Sequence, residues 1–206
     1  VAYDAASVYE GVWSPDGTKI AFERAKKYFV IDVATKQTIK VSDLFPSNEF
    51  NISWVSNNQL IFYARESESG GSWATYKRDI TKGIEEKIFD GIFPLISPDG
   101  DRYAYVTNFE VFMMNPDGSG KKRLVGNRDL GSWSYYYPGT WFSNARLGVL
   151  RDWDSLYEMS ITDLVLRAVI KEAPGRISAI GKGDGKRMAF ITYRGPGASL
   201  PIYVMD

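Results

Sequence analysis

The sequence contains neither cysteine nor histidine. The lack of cysteine excludes disulfides, thiolate metal sites and cysteine nucleophiles within these 206 residues. The lack of histidine excludes a Ser-His-Asp triad, a histidine general base and imidazole ligation of a metal. Only carboxylates, Lys, Tyr, Ser and Thr remain as candidate catalytic groups, and we expect neither a cofactor nor a metal site.

Excess charge and long apolar runs are also missing. The chain has 25 basic and 25 acidic residues, so its net charge gives no electrostatic reason to expect nucleic acid or an anionic membrane as a partner. It has no run of five like charges and no apolar stretch of the roughly 18 residues that a membrane-spanning helix needs. Hydrophobic residues make up 44% of the chain and aromatic residues 15%, which is enough for a sizeable core.

A short turn sequence recurs at regular spacing. An Asp-Gly turn followed by a short apolar strand occurs three times, at intervals of about 84 residues, which is twice the length of one propeller blade. A second variant, Trp-x-Ser-Asn, occurs about midway between successive Asp-Gly turns. The two sets are Asp16-Gly17, Asp99-Gly100 and Asp184-Gly185, and Trp54-Val55-Ser56-Asn57 and Trp141-Phe142-Ser143-Asn144. The repeat is therefore roughly 42 residues long, as expected of a four-stranded blade.

Five such units fit the length, and we predict a single all-β domain that is a five-bladed β-propeller with four-stranded antiparallel blades. The predicted blades cover residues 8–42, 49–90, 91–126, 135–171, and 176–206 together with 1–4. The second and third strands are nearly continuous apolar runs, as strands covered on both faces require. The alternative, an ordinary β-sandwich, gives no reason for a turn sequence to repeat at a fixed long interval.

The last unit ends after its third strand, so we expect residues 1–4 to complete the fifth blade and remove its free edge. The competing interpretation is a part of a six- or seven-bladed protein. We predict that Trp13, Trp54 and Trp141, which share one repeat position, are core residues. Asp16 and Asp99 are interpreted as structural turn residues.

The repeat resembles the WD-like repeats of the TolB-type propellers. The resemblance rests on Trp13-Ser14-Pro15-Asp16-Gly17 with Ile20-Ala21-Phe22, on Asn115-Pro116-Asp117-Gly118, and on the closing Ile202-Tyr203-Val204-Met205-Asp206. It weakens in the second and fourth units, which have Asn-rich turns, and in the fifth, where Gly181 replaces the tryptophan. The resemblance implies an exported, envelope or surface protein whose propeller binds other proteins. Similar repeats precede hydrolase domains in relatives of prolyl oligopeptidase, but no histidine is present to serve such a triad.

In a propeller the connections between second and third strands share one face with those that lead to the next blade. The long loops assigned to that face are rich in Trp, Tyr and Arg, the residue types enriched at binding hot spots. The candidate ligand-binding residues are Trp73, Trp133, Tyr135, Tyr136, Arg151, Asp152, Trp153, Tyr193 and Arg194. The alternative is that these rings only pack the loops together.

No spacing of carboxylates demands catalysis, so we interpret the chain as a non-catalytic, monomeric binding module. The resemblance to TolB-type propellers implies that its ligand is a protein or peptide and that it lies in the periplasm or outside the cell. The alternative is a carbohydrate-binding or glycoside-hydrolysing five-bladed propeller. Parallel exposed rings with two carboxylates about 5 to 10 Å apart would favour glycoside chemistry. A broad patch with arginine at its rim would favour a protein ligand.

Overall fold

The chain forms short antiparallel strands joined by tight turns. A computed structural model describes residues 11–46, 52–126, 129, 134–171, 173, 175–182, 188–193 and 202–205. The chain divides into two compact units, Val1–Pro94 and Leu95–Asp206. All twenty strands of the described residues pair in antiparallel fashion within five sheets.

The first unit begins with a four-stranded sheet in sequence order. Its strands are β1 (Gly11–Trp13), β2 (Lys19–Arg24), β3 (Lys27–Asp32) and β4 (Thr38–Lys40). The Asp-Gly turn joins β1 to β2, and Gly17 there has a φ of 68°, which favours glycine. Asp16 fixes this turn by accepting hydrogen bonds from the Ser14 hydroxyl at 2.6 Å and from the Thr18 amide at 3.0 Å. These bonds, with that from Ser14 the largest cause, lower the pKa of Asp16 to about 2.

The second sheet of this unit has five strands. They are β5 (Phe45–Pro46), β6 (Ile52–Ser56), β7 (Gln59–Arg65), β8 (Ala74–Asp79) and β9 (Ile84–Phe89), with both β5 and β6 paired to β7. Residues 60–64 of β7 are all buried, which confirms the prediction that a continuous apolar run marks a strand covered on both faces. Between the two sheets, Tyr28 and Phe62 pack edge to face with their ring centroids 5.4 Å apart.

The second unit contains three sheets, and the division between the units falls within the first strand of the first of them. The strands are β10 (Ile92–Ile96), β11 (Tyr103–Thr107), β12 (Glu110–Met114) and β13 (Lys122–Val125) in one sheet; β14 (Tyr136–Ser143), β15 (Arg146–Arg151), β16 (Ser155–Ser160) and β17 (Leu166–Ile170) in the next; and β18 (Arg176–Lys182), β19 (Met188–Tyr193) and β20 (Ile202–Met205) in the last. A small core cluster of Leu150, Leu156, Ile177 and Phe190 joins the last two sheets.

The prediction of five complete four-stranded blades is corrected by this strand count. The described residues form four complete blades and one three-stranded sheet, because β20 is followed by no further strand. Residues 1–4, the predicted fourth strand of the fifth blade, lie outside the described residues.

In each unit the first two sheets are joined by the same pair of hydrogen bonds. In the first unit, Nε1 of Trp54 donates to the Val12 carbonyl at 3.0 Å, and the Asp16 amide donates to the Asn57 side chain at 3.1 Å. In the second unit the corresponding bonds run from Trp141 to the Leu95 carbonyl at 3.2 Å and from the Asp99 amide to Asn144 at 3.2 Å. We call this pair of bonds the latch, and it explains why the Asp-Gly and Trp-x-Ser-Asn turns alternate along the chain.

The three repeat tryptophans differ in burial. Trp141 is buried, with 4% of its surface exposed, and Trp54 is half-buried against the core of the first unit. Trp13 is 59% exposed, so the prediction that it is a core residue is wrong. The reason is positional, since Trp54 and Trp141 each lie against the first strand of a preceding sheet, whereas no sheet precedes Trp13 within the described part of its unit.

Candidate binding site on the loops of the second unit

Two turns of the second unit display aromatic rings on a backbone with positive φ. Asn108 and Phe109 join β11 to β12 with φ angles of 51° and 64°, and Asp152 and Trp153 begin the loop between β15 and β16 at 49° and 67°. The two-residue turn Asn108–Phe109 matches the right-handed twist of its hairpin. A positive φ costs a non-glycine residue about 1 kcal/mol. Ala25 and Lys26 in the first unit also have positive φ angles. The turns of the second unit differ from that turn because they carry large aromatic rings.

Phe109 and Tyr135 form an exposed aromatic pair, which we call the rim pair. Their side chains are 55% and 50% exposed, and their ring centroids are 5.3 Å apart at an interplanar angle of 70°. Edge-to-face packing is one of the favourable geometries of an aromatic pair. The rim pair therefore presents an apolar surface to solvent, of the kind that marks interaction sites.

Asp152 positions one member of the rim pair. Its carboxylate accepts a hydrogen bond from the Tyr135 amide at 2.8 Å, and its own amide donates to the Tyr135 carbonyl at 2.8 Å. Because Tyr135 directly precedes β14, these bonds attach the end of the 126–135 loop to the loop between β15 and β16.

Further polar contacts anchor the start of that loop. Arg123 bridges Glu110, next to Phe109, and Asp129, at 2.8 and 3.0 Å. Its hydrogen bond to Asp129 is the main reason that the pKa of Arg123 is raised. The Gly126 amide donates to Asp129 at 2.9 Å, and a Cβ atom at position 126 would collide with Arg123 and Glu110. A larger residue at position 126 would therefore displace the ends of these two side chains.

Beside the rim pair lies a polar pocket of about 390 Å³. It is lined by Arg151, Asp152, Asp154, Ser155, Tyr157 and Lys171. A pocket of this size suits a small polar ligand or one or two side chains of a peptide.

Two of the four charged groups of the pocket, Arg151 and Asp152, are already engaged. Nε of Arg151 donates to the Ser134 hydroxyl at 2.8 Å and lies 3.6 Å from the Asp152 carboxylate. A hydrogen bond with Tyr157 is the main cause of the raised pKa of Arg151. These contacts hold the guanidinium in one place, as a preorganised binding group requires.

Asp154 and Lys171 are the less engaged charges. Asp154 accepts one hydrogen bond, from the Ser155 hydroxyl at 2.8 Å, and its amide donates to the Arg151 carbonyl at 3.2 Å. Lys171 is exposed at the end of β17 and has no hydrogen bond or ion pair among the residues that the structure describes. Both charges therefore face the pocket without an ionic partner.

Trp153 packs behind this surface. Its indole ring stacks on Tyr137 at a centroid distance of 4.2 Å, and the guanidinium of Arg176 lies 4.0 Å from it. Much of the ring is covered by these two contacts, and the side chain is half-buried. These contacts indicate that Trp153 stabilises the loop and has little free ring surface for a ligand.

Tyr136 is fully buried and presents no ring to solvent. Its hydroxyl has no hydrogen-bond partner among the residues that the structure describes, and burial raises the pKa of Tyr136. Of the two adjacent tyrosines that the sequence placed at the site, only Tyr135 is on the surface.

Trp73 belongs to the first unit, where its loop is packed against itself. The ring contacts Tyr63 edge to face at 5.6 Å, and the Arg65 guanidinium lies 4.8 Å above it. An exposed ion pair between Lys26 and Glu68, at 2.7 Å, links this loop to the turn between β2 and β3. Trp73 is half-buried by these contacts.

The structure thus brings together Tyr135, Arg151 and Asp152, with Trp153 beneath them. Trp133 and Arg194 lie outside the described residues, and so does the side chain of Tyr193, whose backbone ends β19. The sequence analysis missed Phe109, Asp154, Ser155, Tyr157 and Lys171. Phe109 had a usable signal, since it sits on a connection between second and third strands, but that connection is only two residues long.

The described residues contain neither a candidate metal site nor a candidate membrane-spanning helix. Within the described ranges, no three carboxylates come close enough together to form a metal site. The same part of the chain has no helix with the length and hydrophobicity needed to cross a bilayer.

Neither a protein-family model nor a curated protein matches the sequence. Solved structures do resemble it. A putative TolB from Agrobacterium tumefaciens has a TM-score of 0.68 at 12% identity, with 98% of this chain and 78% of that chain covered. The oligogalacturonate lyase from Vibrio parahaemolyticus has a TM-score of 0.65 at 14% identity, with coverage of 95% and 61%. The propeller domain of the Trilobed protease from Pyrococcus furiosus has a TM-score of 0.64 at 16% identity, with coverage of 97% and 68%.

This chain spans about three fifths of the length of the lyase structures that it matches. At identities this low, the likeness concerns the fold alone. Together with the four antiparallel blades, it shows that the chain has an all-β propeller fold similar to that of TolB.

Proposed function

We propose that this chain is a non-catalytic binding module whose ligand is a protein or peptide, and that the ligand binds to the rim pair and the adjacent pocket of the second unit. The observation that carries the proposal is the rim pair itself. Two large rings, each about half exposed, are held rigidly beside a polar pocket that has an arginine at its edge. Exposed, preorganised aromatic residues next to arginine are typical of the centres of protein interfaces.

The pocket carboxylates have structural roles that favour binding over catalysis. Asp152 is occupied by the Tyr135 amide and lies near Arg151, while Asp154 accepts from Ser155. A general acid or base must exchange a proton with a substrate, and hydrogen bonds within the protein occupy both carboxylates. The lyase and the protease among the similar structures are only 14% and 16% identical to this chain, so their activities do not carry over to it.

The resemblance of the repeats to TolB-type propellers supports an exported protein, in the periplasm or outside the cell. We further propose that the module is monomeric. Size-exclusion chromatography with light scattering should give the mass of one chain. A mass of two chains that returns to one chain when Trp13 or Phe109 is substituted would contradict the proposal.

A displayed library of random linear peptides, selected against the immobilised protein, tests the ligand class. We expect enriched peptides whose binding is lost in Phe109→Ala and Tyr135→Ser. Trp13→Ser is the matched control, because Trp13 is similarly exposed but lies in the first unit. The proposal fails if no peptide is enriched, or if the rim-pair variants bind every selected peptide as the original protein does.

A carbohydrate ligand is the second candidate, and the polar lining of the pocket is the observation that favours it. The rim pair argues against a stacked sugar, since its rings stand at 70° to each other and form no common platform. A glycan array that includes oligogalacturonates separates the two candidates. Saccharide binding that is lost in Arg151→Ala and unaffected in Phe109→Ala would replace the peptide proposal.

A further inference from the structure

Two opposite charges face the pocket without neutralising each other. Arg151 and Asp152 lie 3.6 Å apart and largely cancel. Asp154 and Lys171 form no ion pair with each other or with any other residue in the described part of the chain. Among the described residues, the pocket therefore keeps one carboxylate and one ammonium group that form no ion pair.

Such a pocket discriminates against ligands that carry a single charge. An anion attracted by Lys171 is repelled by Asp154, and a cation meets the reverse situation, so the net attraction for either is small. A ligand that places an anion near Lys171 and a cation near Asp154 gains both attractions. It also avoids the penalty of leaving either protein charge desolvated and unpaired.

We infer that the peptide recognised at this site is dipolar, with an acidic and a basic side chain close to the residue that contacts the rim pair. This inference rests on the proposed function, because it specifies the charge pattern of the same peptide ligand. The rim pair supplies the apolar contact, while Lys171 and Asp154, which both line the adjacent pocket, select the two charges. Selectivity of this kind arises as much from rejecting singly charged peptides as from attracting dipolar ones.

The test uses synthetic nine-residue peptides with a central tyrosine, whose affinities are measured by fluorescence anisotropy on the full chain. Five sets are compared: uncharged peptides, peptides with glutamate only, peptides with lysine only, and dipolar peptides with glutamate before or after lysine. We expect one dipolar order to bind most tightly. Its affinity should fall as salt is raised, because exposed charge pairs are screened.

Conservative variants assign the charges. Lys171→Gln and Asp154→Asn should each weaken binding of the preferred dipolar peptide by about two- to fivefold, the range for partly exposed ion pairs. Asp154→Asn keeps an oxygen to accept the Ser155 hydrogen bond, so the loop geometry is retained. Arg167→Gln is the matched control. Arg167 is an exposed cation on β17, the strand that directly precedes Lys171.

The exchange variant Lys171→Asp with Asp154→Lys gives the sharpest readout. Its preference should change to the opposite dipolar order, an effect that a loss of folding or of general affinity cannot produce. Thermal unfolding of each variant confirms that the comparison is made between folded proteins.

The outcomes separate this inference from the proposed function. If no set binds, or if binding ignores Tyr135→Ser, the proposed function fails. If peptides bind through Tyr135 but all five sets bind equally, or a singly charged set binds best, the proposed function stands and the dipolar ligand is disproved. An exchange variant that keeps the original order of preference disproves it as well.

Discussion

The two units of this chain share a scaffold but differ in the loops they carry. Each has the same latch, with a tryptophan and an asparagine of one sheet bonded to the preceding sheet. In the first unit the long loop folds onto itself, and Trp73 is covered by Tyr63 and Arg65. In the second unit the turn between β11 and β12 and the end of the connection from β13 to β14 leave Phe109 and Tyr135 half exposed beside a polar pocket.

The comparison separates two kinds of aromatic residue. The latch residues recur at the same repeat positions because they hold one sheet to the next, so their recurrence reports on the fold. The rim pair has no counterpart at the turn Ala25–Lys26, and nothing in the repeat requires it. A feature that departs from an otherwise repeated pattern is the better guide to function, since function depends on sites carried by the fold.

The largest expected effect is a loss of stability when a latch tryptophan is removed. The loss should differ between the units, because Trp141 is buried and Trp54 is only half-buried. Trp141→Ala should lower the free energy of unfolding by about 3 to 5 kcal/mol, because a buried ring is removed and a cavity remains. Trp54→Ala should cost less, since Trp54 is only half-buried. Urea unfolding of both variants measures the difference, and equal losses would mean that the two sheets pack equally tightly.

The next effect sharpens the functional difference between the units. Tyr135→Ser should weaken a selected peptide ligand at least tenfold, or about 1.4 kcal/mol, because an aromatic hot spot is lost. Trp73→Ser in the first unit should leave that affinity unchanged and lower the melting temperature instead, because the contacts of Trp73 are internal. Isothermal titration and thermal unfolding distinguish the two results, and a shared loss of affinity would remove the distinction between the units.

A smaller effect tests whether the latch is equally strong in both units. Asn57→Ala and Asn144→Ala each remove one acceptor from an aspartate amide at the surface. We expect each to lower the free energy of unfolding by about 0.5 to 1.5 kcal/mol, the usual net value of a hydrogen bond. Chemical unfolding of the two variants side by side provides the measurement, and costs that differ by more than that range would show unequal latches.

The smallest expected effect is the pH dependence of the Asp-Gly turns. The pKa of Asp16 falls from 3.8 to about 2 on folding, chiefly through the Ser14 hydrogen bond. Because the folded-state pKa is the lower one, the stabilisation is complete above about pH 4 and is lost as the pH falls towards about 2. Thermal unfolding between these values should show a smaller decline for Asp16→Asn than for the original chain.

Asp99 provides the same test in the second unit. Its pKa is also lowered, chiefly by a hydrogen bond from the Ser97 hydroxyl. Asp99→Asn should therefore flatten the decline in the same direction. A steeper decline in either variant would contradict the assigned role of the turn carboxylates.

Much of the fold was predictable from the sequence because the repeat is local. The Asp-Gly turn, the apolar run that follows it and the spacing of the two turn variants were sufficient to predict four-stranded antiparallel blades. The exposure of Trp13 was not predictable. Trp13 occupies the same repeat position as Trp54 and Trp141, and the sequence does not show whether a sheet packs against that position. The assignment of all 206 residues to one domain, and of residues 1–4 to the last blade, stays a prediction.

The site was less predictable than the fold. Composition pointed to the aromatic loops, and Tyr135, Arg151 and Asp152, three of the residues predicted there, are neighbours in the structure. That they bind a ligand stays a prediction. The sequence did not distinguish Tyr135 from Tyr136, because which of two adjacent tyrosines faces inwards depends on where β14 begins. It also missed Phe109 and Lys171, which lie 26 residues before and 36 residues after Tyr135 and reach the site only through strand pairing.

The sequence by itself determined the blade, since turn chemistry and continuous apolar strands depend only on neighbouring residues. The tertiary structure alone decided which tryptophans are buried, which tyrosine is exposed, and that Asp154 and Lys171 share a pocket without pairing. These are properties of distances between residues far apart in the chain, and such distances are set by the packing of sheets.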